Sequence, residues 1–287
     1  TIDAAILCLK AGNTVILRGG KEALHSNLAL IELLQLSLHQ SGLVPQAVQF
    51  IDRVEREYAT ELMQDRAHVD VLIPRGSARL IQSVIDNAKI PVLETGVGNC
   101  HIYVHEDADL EMAKKILINA KCSRPGVCNA AEKVLIDASI AKEFLAEIIP
   151  TLQSLQVELR VCEKTKVFYP LLKQANELDW ETEYLDLILG IKIVESIDEA
   201  IQHIQRYSTK HTEAIVTRSK LASIRFTNEI DAAVVYVNAS TRFTDGSEMG
   251  FGAEIGVSTQ KLHARGPMGL KELCTYKYII EGNGQIR

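Results

Sequence analysis

The chain has 287 residues, 47% of them hydrophobic and 24% charged, and carries a net charge of −6. That length suffices for two α/β domains, and the composition is ordinary for a globular protein. The acidic balance argues against a general affinity for nucleic acid or an anionic membrane, either of which favours a basic patch.

Thr1–Ala11 reads as a helix already under way, closed by Gly12. With no initiating Met ahead of it, a preceding segment of the natural protein is expected. Strand and helix then alternate. Thr14–Arg18 is a strand ending at Gly19-Gly20, and His25–Gln40 is an amphipathic helix stopped by Ser41-Gly42. Ala47–Ile51 and Val69–Ile73 are strands with a short helix near Ala59–Gln64 between them. A helix over Ser77–Asn87 is followed by strands at Pro91–Thr95 and His101–Val104. Short buried strands separated by helices predict parallel βαβ units in a doubly wound α/β sheet.

Ligands of such sheets collect at the carboxyl ends of the strands. Strand Thr14–Arg18 ends in Arg18-Gly19-Gly20-Lys21, with no acid before Glu22. An acid there would take a ribose 2′-hydroxyl, whereas Arg or Lys accommodates a 2′-phosphate. Gly76 and Ser77 precede a helix, and its free N–H groups with that hydroxyl make a seat for a pyrophosphate. The plainer alternative is a turn with a Ser N-cap. No GxGxxG is present.

Beyond Val104 the predicted order is helix Asp109–Lys121, strand Val134–Asp137, helix Ala141–Leu155 and strand Val157–Val161. Helix Tyr169–Asn176, strand Leu185–Val194, helix Ile197–Tyr207, strand Ala214–Thr217, helix Lys220–Thr227 and strand Ala233–Val237 follow. The final stretch, Leu273–Ile280, alternates like an edge or exchanged strand.

The centre of interest is Lys121-Cys122-Ser123-Arg124-Pro125-Gly126-Val127-Cys128-Asn129-Ala130. Pro125-Gly126 breaks a helix, and Cys128 follows on a tight turn. The flanking cations Lys121 and Arg124 are expected to lower the thiol pKa and favour the nucleophilic thiolate. The competing reading is a small buried hydrophobe. The six cysteines are scattered with no CxxC pair, which suits a reducing cytosol. No His, Cys and acidic cluster has metal-ligand spacing, so no metal is expected. No apolar run approaches a membrane span.

These residues carry a close resemblance. The loop Arg124–Ala130 resembles the nucleophile loop of the γ-glutamyl phosphate reductases, a branch of the aldehyde dehydrogenase superfamily. So does the pattern of Val194, Ala200-Ile201, His203-Ile204, Tyr207-Ser208-Thr209, His211-Thr212-Glu213 and Ile215. A further match is Gly252–Thr259 with His263–Leu270. The resemblance implies an aldehyde dehydrogenase-like fold: a Rossmann-type parallel cofactor domain over 1–104, a catalytic domain over 105–245, and a C-terminal segment over 246–287 returning to the cofactor domain and a subunit interface. It implies NADPH-dependent reduction of L-glutamate 5-phosphate to the 5-semialdehyde and phosphate, through a thioester on Cys128, in proline biosynthesis.

By the same resemblance, Glu94 sits where aldehyde dehydrogenases keep the base that activates a hydrolytic water, with backbone binding in a Gly-rich turn as the alternative. Glu183 resembles the glutamate holding the nicotinamide ribose, with a surface carboxylate before a strand as the alternative. Arg18, Gly19, Lys21, Gly76 and Ser77 are then cofactor residues. Lys121, Arg124, Asn129, Arg242, His263 and Arg265 are candidates for the substrate's phosphoryl group and α-carboxylate, each with an ion pair or carbonyl clamp as the alternative. His203 is expected to be structural. A homo-oligomer and contact with a glutamate kinase are implied as partners. An aldehyde dehydrogenase oxidising another semialdehyde, and a non-catalytic oligomerising module, stay open as alternatives.

Overall fold

The computed structural model describes residues 1–287, leaving aside the side chain of Ala78. The first part contains α1 (Ile2–Lys10), β1 (Val15–Leu17), α2 (Leu24–Gln40), β2 (Val48–Phe50), α3 (Arg56–Gln64) and α4 (Ala78–Asn87). β1 and β2 pair in parallel. Of the strands expected at Val69–Ile73 and Pro91–Thr95, only isolated bridges form: a parallel one between Leu72 and Val92 and an antiparallel one between Thr95 and Ser258. Gly12 and Gly42, which close α1 and α2, have φ of +80° and +73°, the conformation glycine adopts most readily.

The second part is a parallel seven-stranded sheet. Its elements are β3 (Cys100–Val104), α5 (Leu110–Cys122), β4 (Ala131–Asp137), α6 (Ala138–Ser154), β5 (Glu158–Val161), α7 (Glu163–Phe168) and β6 (Lys173–Gln174). α8 (Glu177–Glu181), β7 (Ile188–Val194), α9 (Ile197–Tyr207), β8 (Thr212–Val216), α10 (Lys220–Glu229) and β9 (Val234–Val237) complete it. The strand order is β6-β5-β7-β4-β3-β8-β9. β3, β4 and β8 are buried along their whole length, as a sheet covered on both faces requires.

Strand alternation sorts the core. Ile102, Val104, Val134, Ile136, Ala214 and Val216 face α5 and α6, where Leu117, Phe144, Leu145 and Ile148 pack. Tyr103, Leu135 and Ile215 point the other way, onto Ala200, Ile201, Ile204 and Phe226 of α9 and α10.

Some expectations are corrected here. β3 pairs with β4 and β8, so residues 100–104 are part of the seven-stranded sheet. Tyr169–Asn176 is not a helix; helices flank it, and Lys173–Gln174 adds a short edge strand to β5. The tail after Leu273 forms no strand, and Tyr276, Tyr278 and Ile280 are 78%, 84% and 90% exposed. Within one chain it meets no strand edge to satisfy its backbone. Upstream of the tail, β10 (Val257–Ser258) and β11 (Gly266–Pro267) pair antiparallel. This hairpin lies against the first part, where Ile255, Ala264 and Met268 pack on Leu7 and Leu93. No helix of the described residues is long and apolar enough to cross a membrane.

Candidate active site

The order β7-β4-β3-β8 brings together loops that are distant in sequence. Glu183 precedes β7, Cys128 precedes β4, Gly98 precedes β3, and Thr209 precedes β8. The site therefore lies at the amino ends of neighbouring strands, not at their carboxyl ends. Gly98 is pressed against the Cys128 loop: an added Cβ would overlap the carbonyl of Cys128. The Gly98 N–H donates to Glu183 Oε1 at 2.6 Å. The Cys100 thiol donates to the Cys128 carbonyl at 3.2 Å. The peptide of Cys128 is thus gripped from β3, and a carboxylate lies alongside.

The loop is tied on its other side as well. Asn129 Nδ2 donates to the Thr244 carbonyl at 2.9 Å, and Thr241 Oγ1 donates to the Asn129 carbonyl at 2.7 Å. Arg242 donates to Asn129 Oδ1 through Nη1 and to Ser123 Oγ through Nε, the latter at 3.2 Å. The structure thus ties Arg242 to Asn129, the residue that follows Cys128. Arg242 also lines a cavity of about 300 Å³ with Asn119, Ser123, Asp245 and Glu248.

The electrostatics of Cys128 run opposite to expectation. Burial pushes its thiol up to about 11; the carboxylates of Glu254 and Glu183 push the same way, while its own backbone N–H and the Arg75 guanidinium pull it down. Lys121 takes no part, since its side chain is wholly buried in an ion pair with Glu132 at 3.0 Å. It is withdrawn from the substrate. Arg124 is exposed and immediately precedes the Pro125-Gly126 turn.

Other candidates fall elsewhere. Glu94 is held by Gln260, whose Oε1 accepts from the Glu94 N–H at 2.9 Å and whose Nε2 donates to its carboxylate at 3.2 Å. His263, at φ +69°, bonds the Glu272 carbonyl at 2.7 Å. Arg265 donates to Asp231 at 2.8 Å. For these last two residues the carbonyl clamp and the ion pair are what the structure contains.

In the first part, Arg18 donates through Nη2 to the carbonyls of Val54 and Glu55 at 3.1 and 3.3 Å. Gly19 leaves no room for a Cβ, which would meet the Asn27 side chain, and Lys21 begins a short 3₁₀ turn over Lys21–Ala23. Gly76 has φ +154°, and Ser77 caps α4 by accepting from the Leu80 N–H at 3.4 Å. Cationic side chains beyond β1 and an open helix start behind Gly76 are chemically suited to the phosphates of a dinucleotide.

Sequence reasoning missed Arg75 and Glu254, although both lie in stretches it singled out. The Val194–Ile215 pattern has a structural explanation. The Asn99 N–H donates to Thr209 Oγ1 at 3.0 Å, and Asn99 Nδ2 donates to the carbonyls of Trp180 and Tyr207, each at 2.8 Å. Glu213 accepts from Ser208 at 2.5 Å and from the His101 backbone at 2.8 Å. These residues hold the Gly98–Cys100 turn in place. His203 packs edge-on to Trp180, with ring centroids 5.4 Å apart, as a structural histidine.

The aldehyde dehydrogenase family model matches residues 1–182. The chain is 59% identical over 287 residues to a gamma-glutamyl phosphate reductase of Clostridium perfringens (strain SM101 / Type A), covering 100% of this chain and 69% of the relative. It is 58% identical to a protein of the same name from Caldanaerobacter subterraneus subsp. tengcongensis, with the same coverage. The crystal structure of gamma-glutamyl phosphate reductase from Thermotoga maritima superposes with a TM-score of 0.97 at 52% identity, covering 100% of this chain and 69% of that one. A glyceraldehyde-3-phosphate dehydrogenase from Methanocaldococcus jannaschii, complexed with NADP, shares the fold at a TM-score of 0.69 and 17% identity, over 91% of this chain and 64% of that one.

Proposed function

Because the chain belongs to the aldehyde dehydrogenase family, and within it to the gamma-glutamyl phosphate reductases, we propose that Cys128 carries reduction of glutamyl phosphate through a thioester. The supporting observation is the convergence of Cys128, the Gly98 turn and Glu183 at the amino ends of β4, β3 and β7.

An acyl phosphate is already activated. The Cys128 thiolate attacks the acyl carbon, the carbon–oxygen bond to phosphate breaks, and phosphate leaves with the electron pair. The thiol must first lose its proton. Glu254 and Glu183, both raised by burial, are the acceptors at hand. Moving the proton to either removes the charge that opposed the thiolate. The backbone N–H of Cys128 then faces the developing oxyanion. Arg242 and Asn129 orient the substrate beside the sulfur.

The family uses a nicotinamide cofactor; we assign NADPH on the basic residues beyond β1. Arg18, Gly19 and Lys21 would hold the adenosine phosphate end, Gly76 and Ser77 the pyrophosphate, and Glu183 the nicotinamide ribose. When bound, the reduced nicotinamide supplies a hydride to the thioester carbon. Breaking the carbon–sulfur bond frees the semialdehyde and restores the thiolate on Cys128.

The exposed apolar tail around Tyr276–Ile280 supports a homo-oligomer, cytoplasmic like the scattered free thiols. The lability of an acyl phosphate favours direct handover from a glutamate kinase. Free diffusion of the intermediate, seen as full dilution by added unlabelled glutamyl phosphate, would count against that handover.

The test of the main reading is NADPH consumption with freshly made glutamyl phosphate. Activity should vanish in Cys128→Ala. Activity retained in that variant refutes the reading. Phosphate-independent oxidation of a semialdehyde would instead favour an ordinary aldehyde dehydrogenase.

A further inference from the structure

Lys133 stands in the middle of β4 with no exposed surface, a setting in which lysine is rare unless paired. Its ammonium donates to two neutral oxygens, Asn99 Oδ1 at 2.9 Å and the Thr182 carbonyl at 2.8 Å. It also lies 4.3 Å from the centroid of the Tyr184 ring, a cation–π contact. The neighbouring strand leaves a slot for it: Lys133 is in register with Gly190 of β7, where an added Cβ would come within 2.6 Å of Lys133 Cδ. Burial draws the ammonium's pKa down, a cost that an apolar side chain of the same length would not carry. Stability alone is therefore a poor account of this residue.

Its two partners suggest another. Asn99 adjoins Gly98, the residue pressed on the Cys128 carbonyl and donating to Glu183. Thr182 adjoins Glu183 itself. One ammonium thus joins the turn that backs the nucleophile to the segment that carries the carboxylate.

We propose that Lys133 is a positioning residue, which ties the Gly98–Asn99 turn to Thr182–Glu183 and so sets the Glu183 carboxylate against Cys128. It reaches neither substrate nor cofactor and acts through those two segments. This rests on the reading that Cys128 and Glu183 serve the reductase.

The test compares the wild-type protein with Lys133→Met, which fills the slot without donors, and Lys133→Gln, which keeps a donating amide. Lys133→Met leaves the Asn99 Oδ1 and the Thr182 carbonyl without their donor, so its urea midpoint should fall, with the protein still folded in the absence of urea. It should also lose about tenfold or more in kcat, the scale of loss from a misplaced catalytic geometry. The KM for NADPH should rise, while that for glutamyl phosphate stays the same. Lys133→Gln should fall between the two. A folded Lys133→Met with wild-type kcat and KM values overturns the proposal, and so does a Lys133→Gln as impaired as Lys133→Met. Should Lys133→Met not fold, Lys133→Gln decides by the same split: a raised NADPH KM supports the tie, and unchanged constants refute it. Activity surviving in Cys128→Ala would instead sink the reading on which the inference rests, whatever the Lys133 variants do.

Discussion

Replacing Glu254 by Gln is the simplest probe of the charge around Cys128. Glu254 heads the charges that hold the thiol near 11. Removing a negative charge favours the thiolate, so the pH midpoint for alkylation by iodoacetamide should move down. Alkylation at a fixed pH below that midpoint should become roughly threefold faster or more, given about tenfold per unit of pKa. An unchanged or higher midpoint would contradict the assignment. The cysteine and its turn were legible in the sequence because Pro125-Gly126 and the flanking pattern are local. The sign of its electrostatics was not. Glu254 and Arg75 reach the thiol only through tertiary folding, whereas the nearby Lys121 is turned into the interior toward Glu132.

At the scale of elements, that same pair straps α5 to β4. Lys121→Met leaves the Glu132 carboxylate buried without its cation, and the expected cost is about 3–5 kcal/mol, read from urea unfolding. A loss under about 1 kcal/mol, the level of an exposed ion pair, would show that the pair is not the strap described. The elements α9 and β8 supply a second check. Burial holds His203 at about 2 and His211 at about 4, both below the ordinary 6.5. Both stay neutral in the folded protein while the unfolded chain takes up protons below about 6.5. Each therefore adds stability above that pH that is lost as pH falls towards the folded value. Their imidazole proton signals in NMR should not titrate between pH 8 and 5; a midpoint near 6.5 for either would contradict the burial. Helices such as Ile197–Tyr207 were legible because one face is apolar at helical spacing. Tyr169–Asn176 misled because Tyr169 and Leu172 pack from a turn against the core, and the turn leads into the edge strand Lys173–Gln174 instead of continuing as a helix.

At the scale of the molecule, the α/β class follows from alternating short apolar strands and amphipathic helices. The strand order does not. Nothing local places β7 beside β4 or β3 beside β8, yet that order assembles the site at the amino ends of the strands. It also places residues 100–104 in the second sheet, while the first part keeps a small β1–β2 pair and the stretch around the β10–β11 hairpin packs on its Leu7 and Leu93.

The account turns on a glutamyl group passing to the Cys128 sulfur. Mixing the protein with glutamyl phosphate in the absence of NADPH, quenching in acid and mapping peptides by mass spectrometry measures this directly. The account predicts a glutamyl adduct on the peptide containing Cys128 that disappears when NADPH is added. An adduct on Cys100, Cys122 or another side chain, with Cys128 unmodified, would contradict it.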